Sequence, residues 1–403
     1  MATLVTCSAD SRRDRSLVVS RAVTAGEVLL REDAFSLVYC DTNDDNNLDL
    51  ALAAKLLSTG HDSHPTFASL HTNIESLSSE DKADLARDSK IVLKLLDASF
   101  SSLGPTLPIR AMNTLARVRI NALTVVNCCD GKRSGLGMYC AAAMMNHDCD
   151  PSAGVWFDRE NESLLVVRAL RPLEPGEEVT IAYIERSFPH LKRQSLLSRS
   201  FQFDCKCGRC IKESSHEPEM QIVFDAEAAK LCSRGVMAYC SGDSEEALEL
   251  MHLAEEALSE SHVHTTSNSE ASETASELRR RIWRFKANAA VAQREFAVAE
   301  PALAALAASN AVLFPYHRHD DALSASSPHL DSAMTEADLA QVRLAIIEEE
   351  EREEMQKLPS VRSVNLNHLI QRRREAAELL QYAINAVELM YGSGSGLLSE
   401  AAR

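Results

Sequence analysis

The stretch FQFDCKCGRC, residues 201–210, carries three cysteines in the spacing Cys-X-Cys-X2-Cys. A structural zinc ion takes four ligands in a tetrahedron, and cysteine thiolates are among its preferred ligands. The whole chain has 11 cysteines, an odd number that a complete set of disulfides cannot use. The stretch therefore predicts that Cys205, Cys207 and Cys210 bind one metal ion, together with a fourth ligand from another part of the chain.

The leading candidate for the fourth ligand is Cys149, in the segment NHDCDP at residues 146–151. Cys128, Cys129 and His147 are alternatives, since thiolates and imidazoles both bind zinc. A cysteine-rich loop without a metal is another interpretation. Closely spaced reduced thiols oxidise readily, which favours the metal site.

Outward from these segments, short apolar runs bounded by Gly, Pro, Asn or Asp predict strands. They cover residues 17–19, 28–30, 123–126, 154–157, 164–167 and 179–181. Residues 48–119 are helical in pattern, and Ser78 with its following acidic residues predicts a helix start. The spacing of parallel βαβ units is absent. The fold class predicted for this half is α+β, with small antiparallel sheets around a helical insert.

The C-terminal half, residues 213–403, is rich in Ala, Leu and Glu at helical spacing. Its predicted helices cover residues 219–258, 276–309, 334–357 and 365–391. Helix-turn-helix joints at residues 242–247 and 294–299 resemble those of tetratricopeptide repeats. An ordinary α-helical bundle is the alternative. The acidic run at residues 347–357 is most simply a solvated helix face.

Length and charge limit the classes of protein to which the chain can belong. Its 403 residues predict two or three domains, and its net charge of −17 argues against binding nucleic acid through a general basic face. Neither a signal peptide nor an apolar run of about 20 residues is visible. The sequence therefore predicts no membrane partner, no direct nucleic-acid partner, and a cytoplasmic or nuclear location.

Three motifs in order are more informative than any one of them. NHDCDP alone is as often a loop cap as a binding site, and a tyrosine that ends a strand, as Tyr183 does in GEEVTIAY, usually packs in a core. Followed by FQFDCKCGRC, they resemble the SET-domain protein lysine methyltransferases, and most closely the branch with SET and MYND domains (SMYD). The resemblance covers residues 11–212 well and the C-terminal half loosely.

The resemblance implies a SET-type fold with boundaries at residues 1–47, 48–119, 120–200, 201–212 for the post-SET segment, and 213–403 for the helical domain. It implies Tyr183 as the catalytic residue and Tyr183 and Phe201 as walls of a lysine channel. It also implies one structural zinc ion, S-adenosylmethionine as cofactor, and a protein or peptide bearing a lysine, histone or non-histone, as substrate. The implied zinc ligands are Cys149, Cys205, Cys207 and Cys210, and the implied cofactor contacts are Arg15, Asn121, Asn146, His147 and Phe203.

The chain departs from the family pattern in three places. No cysteine follows Cys40 until Cys128, so the MYND zinc module is missing. Asp14-Arg15-Ser16-Leu17 stands where the family has a Gly-X-Gly-Leu loop that lets the backbone approach the cofactor. Arg15 could offset the charge of Asp14 by pairing with the cofactor carboxylate. Ser152 and Ala143 replace an asparagine and a serine beside NHDC.

Three functions remain as hypotheses. The first is an active S-adenosylmethionine-dependent lysine methyltransferase. The second is a catalytically weak SET scaffold that binds protein partners through its helical domain. The altered loop at residues 14–17 is the reason for considering it. The third, a zinc-ribbon protein that binds nucleic acid, is disfavoured by the net charge of −17.

Overall fold

The computed structural model describes residues 5–8, 15–39, 47–96, 105–126, 134–158, 161, 163–214, 226–260, 275–313, 330–356 and 366–391. Asp14 and the alternative ligands Cys128 and Cys129 lie outside these residues. The chain divides into two compact units. The first comprises residues 1–186 and 193–210, and the second residues 187–192 and 211–403.

The described part of the first unit contains ten short strands. They are β1 (Val5–Ser8), β2 (Ser16–Val19), β3 (Val28–Asp33), β4 (Ser36–Tyr39), β5 (Ala122–Val126), β6 (Ser134–Met138), β7 (Asn146–His147), β8 (Ala153–Phe157), β9 (Leu164–Ala169) and β10 (Thr180–Ile181). Three antiparallel sheets have the strand orders β1-β2, β3-β9-β8 and β4-β6-β5. The small antiparallel sheets expected from the sequence are therefore present. One pair, β7-β10, is parallel, which the strand pattern did not predict.

The helical insert consists of α1 (Leu48–Ser58), α2 (Pro65–Ala68), α3 (Ser79–Leu95) and α4 (Leu107–Asn121). The side chain of Ser78 accepts a hydrogen bond from the backbone N–H of Asp81, which caps α3 as predicted. Leu52 of α1 and Leu115 of α4 are fully buried in the core of the insert. A second core, which includes Leu29 and Leu165, lies between the sheets. The insert therefore packs around its own apolar centre beside the strands.

Two helices carry the end of the cysteine region, α5 (His190–Phe201) and α6 (Gly208–Ser214). Arg193 and Leu197, one turn apart on α5, are both 0% exposed. Cys210 is the buried residue of α6. Residues 202–207 connect the two helices, and Gln202, directly after α5, has a positive φ of 61°.

The second unit is helical throughout its described part. Its helices are α7 (Ala226–Cys240), α8 (Ser244–Glu260), α9 (Ala275–Ala292), α10 (Phe296–Leu313), α11 (Leu330–Gln356) and α12 (Leu366–Tyr391). Each packs on its neighbours in the chain, an arrangement typical of stacked helical hairpins. The predicted joints are turns with positive φ at Gly242 (92°) and Arg294 (62°), and Ala247 and Ala299 are buried where the helices meet. None of the described helices is both long and apolar enough to cross a membrane.

Candidate active site and metal centre

The parallel pair β7-β10 joins two motifs that are far apart in the sequence. Asn146 pairs with Thr180, and His147 pairs with Ile181. Ser152 strengthens this junction, because its backbone N–H donates to Thr180 Oγ1 at 3.0 Å and its Oγ accepts from the backbone N–H of Thr180 at 2.9 Å. The serine that replaces the family's asparagine is therefore a well-bonded residue. The pairing brings the NHDC segment and the strand that leads to Tyr183 side by side.

His147 connects Tyr183 to the cysteine cluster. Its Nδ1 accepts a hydrogen bond from the backbone N–H of Tyr183 at 3.0 Å, and its Nε2 lies 3.3 Å from Cys149 Sγ. Since Nδ1 is an acceptor, the neutral ring carries its proton on Nε2, which donates to the sulfur. Both ring nitrogens of this buried residue are therefore bonded within the protein. His147 orients Cys149 and is not itself one of the four clustered donors.

Three aromatic rings lie around that of Tyr183. The ring centroids of Tyr183 and Phe201 are 4.8 Å apart, and those of Tyr183 and Phe203 are 6.5 Å apart in an edge-to-face arrangement. The rings of His147 and Phe203 are 6.0 Å apart. The predicted channel residues Tyr183 and Phe201 are thus in contact, and Phe203 adjoins both Tyr183 and His147. Aromatic faces of this kind attract a cation and exclude water from its surroundings.

The predicted zinc ligands form one compact cluster. The Sγ atoms of Cys149, Cys205, Cys207 and Cys210 all lie within 4.8 Å of one another, and all four residues are buried. Cys149 Sγ is 3.5 Å from Cys210 Sγ and 4.0 Å from Cys205 Sγ. Four sulfurs about 2.3 Å from a zinc ion would be about 3.8 Å apart in a regular tetrahedron. The donor set therefore fits a structural zinc ion in number, chemistry and spacing.

The thiols also affect each other's protonation. Hydrogen bonding to Cys205 raises the pKa of Cys149 above its usual range, while hydrogen bonding from Cys149 lowers the pKa of Cys210 to about 7. Protons are therefore shared unevenly within the cluster. A divalent cation would remove this competition, because every ligand binds zinc as a thiolate.

Two residues on α5 that the sequence motifs did not indicate hold the cluster in place. Gln194 Nε2 donates to the carbonyl oxygen of Cys205 at 2.8 Å, and Gln194 Oε1 accepts from the backbone N–H of Cys205 at 2.9 Å. Arg193 Nε lies 3.2 Å from Cys149 Sγ, and its Nη2 lies 3.7 Å from Cys210 Sγ. No spacing rule distinguishes these two polar residues from others on the helix, so only the structure identifies them.

The predicted cofactor residues fall into two groups besides His147 and Phe203. Asn146 Nδ2 donates to the carbonyl oxygen of Arg15 at 2.8 Å and to Glu178 Oε1 at 2.7 Å, so Asn146 and Arg15 are neighbours. The guanidinium of Arg15 donates to the carbonyl oxygen of Ser69 at 2.7 Å.

Asn121 forms the second group. Its Nδ2 donates to the carbonyl oxygens of His71 and Arg117 at 3.0 and 2.8 Å, which fixes the end of α4 to the helical insert. These hydrogen bonds do not involve another predicted site residue.

Comparison with known proteins finds similarities in the first unit. Residues 14–184 match the SET domain family. Residues of this chain are 31% identical over 151 residues to histone-lysine N-methyltransferase SMYD3 of Mus musculus, covering 36% of this chain and 33% of that protein. Histone-lysine N-methyltransferase ATXR2 of Arabidopsis thaliana is 36% identical over 92 residues, covering 22% of this chain and 18% of that protein. ATXR4 of the same plant, also a histone-lysine N-methyltransferase, is 35% identical over 113 residues, covering 24% and 34%.

The comparisons extend over only part of each protein. The chain spans about a third or less of the length of these curated relatives. The SET match ends at residue 184, one residue after Tyr183 and before the three clustered cysteines of residues 205–210.

Proposed function

We propose, from the premise that residues 14–184 form a SET domain, that this chain is an S-adenosylmethionine-dependent protein lysine N-methyltransferase. The observation that carries the proposal is the contact of Tyr183, two residues after β10, with Phe201, Phe203 and His147. These rings provide an apolar wall with one hydroxyl group, which is the environment that methylation of an amine requires.

The reaction needs a neutral amine in line with the methyl group. Bound S-adenosylmethionine supplies an electrophilic methyl group on a sulfonium. A lysine amine has an ordinary pKa of about 10.4 and is charged at neutral pH. The rings of Tyr183 and Phe201 would first attract the charged amine and then lower its pKa by excluding water. After the proton leaves to solvent, the same walls hold the amine in line, so positioning supplies most of the catalysis.

Tyr183 is proposed to orient the amine rather than to deprotonate it. Its hydroxyl donates to the carbonyl oxygen of Met145 at 2.6 Å, which fixes the direction of the phenol oxygen. The oxygen keeps lone pairs that can accept a hydrogen bond from an incoming amine. The hydroxyl group of Tyr183 is therefore a polar group held in a fixed position in an otherwise apolar wall.

The cofactor is proposed to lie between the β2 region and the NHDC segment. Arg15 and Asn146 are already joined by a hydrogen bond there, and Phe203 offers an aromatic face for the adenine. Asn121 and His147 complete the predicted set. The proposed zinc ion would connect this set with the channel, since Cys149 adjoins His147 and Cys205 follows Phe203 closely in the chain.

A second candidate is a weakly active SET scaffold that binds proteins. It is favoured by Ser16, which is buried at 3% exposure in β2 where the family has glycine. The helical unit also has a cavity of about 380 Å³ lined by four basic side chains, Lys192, Arg280, Arg281 and Arg284, and by two acidic ones, Glu277 and Asp331. Glu277 pairs with Lys192 at 2.9 Å, so the basic side chains outnumber the acidic ones in a chain of net charge −17. Such a cavity offers a surface for an acidic protein partner.

A labelled-methyl assay on a lysine peptide array distinguishes the two. An active enzyme labels a subset of lysine peptides, and Tyr183→Phe abolishes most of the signal while Tyr239→Phe, in α7, leaves it unchanged. A scaffold gives no label, although S-adenosylmethionine still raises the melting temperature if the cofactor site is intact. No label and no thermal shift would reject the methyltransferase proposal.

A further inference from the structure

Arg193 is a fully buried cation in direct contact with two of the four clustered cysteines. It is 0% exposed, and its Nε and Nη2 atoms lie 3.2 Å from Cys149 Sγ and 3.7 Å from Cys210 Sγ. A guanidinium stays protonated at every pH that a folded protein tolerates. Burying such a group is costly unless anions or hydrogen-bond acceptors compensate for its charge, and a thiolate is an anion of this kind. The contacts of Arg193 therefore concern the charge of the cluster as well as its packing.

We infer that Arg193 is the internal counter-cation of the four-cysteine metal centre and that it slows loss of the metal. The inference rests on the proposed zinc site and is independent of methyl transfer. Four thiolates around one divalent zinc ion carry a net charge of about −2, and such a charge is unfavourable in a buried site. Arg193 halves that charge from within the protein.

The two contacts also connect parts of the chain that are distant in sequence. Cys149 follows β7, whereas Cys210 lies on α6, 61 residues later. The planar guanidinium presents several N–H groups in fixed directions, so one side chain bonds to both sulfurs at once. A lysine ammonium in the same place is a single point of charge on a flexible stem. The geometry therefore favours arginine over lysine at this position.

The other polar side chains near the cysteine cluster differ from Arg193 in the contacts they make. The carboxylate of Asp150 is paired with Arg186 at 3.0 Å, and the carboxyl group of Asp148 lies beside Cys207. Gln194 holds the backbone of Cys205 without contributing charge. Arg193 bonds to sulfur through a charged group, whereas His147 bonds to Cys149 Sγ through a neutral ring. Hydrogen bonds and positive charge at a thiolate lower its nucleophilicity, so Arg193 should protect the metal-bound sulfurs from electrophiles and from protonation.

The test measures release of zinc from the full-length protein. Zinc transfer to a coloured chelator is followed for the wild type, Arg193→Gln, Arg193→Lys and Leu197→Ala, and reaction of the thiols with a disulfide reagent is followed in parallel. Arg193→Gln keeps an N–H donor but loses the positive charge. Arg193→Lys keeps the charge but loses the planar set of N–H donors. Leu197→Ala is the matched control, because Leu197 is equally buried one turn further along α5 and is uncharged.

Zinc is expected to leave Arg193→Gln about tenfold or more faster than the wild type, with Arg193→Lys in between. Thiol modification should accelerate in the same order. Leu197→Ala, which loosens the packing beside the cysteines but removes no charge, should lower the melting temperature and accelerate zinc release less than Arg193→Gln does. A wild-type release rate in Arg193→Gln would overturn the inference, and so would equal acceleration in Leu197→Ala. A wild type that binds no zinc would overturn both this inference and the zinc site, whereas zinc binding without methyl transfer would remove only the proposed enzyme activity.

Discussion

The hydroxyl group of Tyr183 donates a hydrogen bond of 2.6 Å to the carbonyl oxygen of Met145, the residue directly before Asn146. The bond joins the proposed catalytic residue to the segment that leads into the proposed cofactor site. Because Tyr183 also donates its backbone N–H to His147 Nδ1 at 3.0 Å, both ends of the tyrosine are held by the same segment. The position of the phenol oxygen is therefore fixed by two bonds to one short stretch of chain.

Replacing Tyr183 with phenylalanine removes the hydroxyl while keeping the ring. We expect the rate of methyl transfer to fall about a hundredfold, because the amine loses its fixed polar neighbour. The free energy of unfolding should fall by only about 1 kcal/mol, the usual net value of one hydrogen bond. Single-turnover kinetics and urea unfolding measure the two quantities. A variant with the wild-type rate would remove Tyr183 from the mechanism.

Replacing Cys207 with serine removes one proposed ligand. We expect the wild type to contain about one zinc ion per chain and the variant to lose it, since structural zinc sites use four ligands. Cofactor binding should weaken at the same time, because the proposed metal would hold the segment that carries Phe203. Metal analysis and cofactor-induced thermal shift measure these effects. Cys240→Ser, at an exposed cysteine of α7, is the control and should keep both properties.

Replacing Asn146 with alanine removes the amide that bonds to the Arg15 carbonyl oxygen and to Glu178. We expect the affinity for S-adenosylmethionine to fall about tenfold, with zinc content unchanged, because two well-formed hydrogen bonds position this region. Isothermal titration calorimetry provides the dissociation constant. Asn385→Ala, on an exposed face of α12, serves as the control. An unchanged affinity in Asn146→Ala would place the cofactor elsewhere.

Glu32 predicts a pH dependence of stability. Its carboxylate accepts hydrogen bonds from the backbone N–H groups of Ala141 and Ala142, both at 2.8 Å, yet burial raises its pKa above 4.5. A raised folded-state pKa means that the folded protein binds the proton more tightly than the unfolded chain. The resulting stability is fully present below the unfolded pKa and is lost as the pH rises through the folded pKa.

The matched variant is Glu32→Gln, which cannot titrate. We expect the free energy of unfolding of the wild type to increase relative to that of the variant as the pH is lowered from 7 towards 4.5, the ordinary value for this carboxyl group. Chemical unfolding of both proteins at several pH values measures the difference. A difference that stays constant across this range would contradict the raised pKa.

The parts of the site whose residues lie close together in the chain could be predicted from the sequence. Cys205, Cys207 and Cys210 lie so close together that their spacing alone indicates a shared metal. The strand pattern also located β8 and β9 to within two residues, because short apolar runs bounded by turn residues are a local property of the sequence.

The rest depends on contacts between distant segments. The fourth ligand stayed open because Cys149 is 56 residues from Cys205, a distance that no local pattern spans. The strands β7 and β10 have two residues each, too few to show a period, so their parallel pairing was not predictable. Arg193 was missed because α5 is mostly polar, and only tertiary packing decides which polar residue becomes buried.

The 61 residues between Cys149 and Cys210 also determine when the metal centre can form during synthesis. The chain emerges from the ribosome with Cys149 first, and that thiol has no complete ligand set until Cys210 has been translated. Until then the centre cannot assemble, because the loop between Cys149 and Cys210 is the longest one that has to close, and its second end has not yet been made. The proposed metal centre can therefore form only after residue 210 of the 403 has been translated, so a shortage of zinc would act on the chain from about the middle of its synthesis.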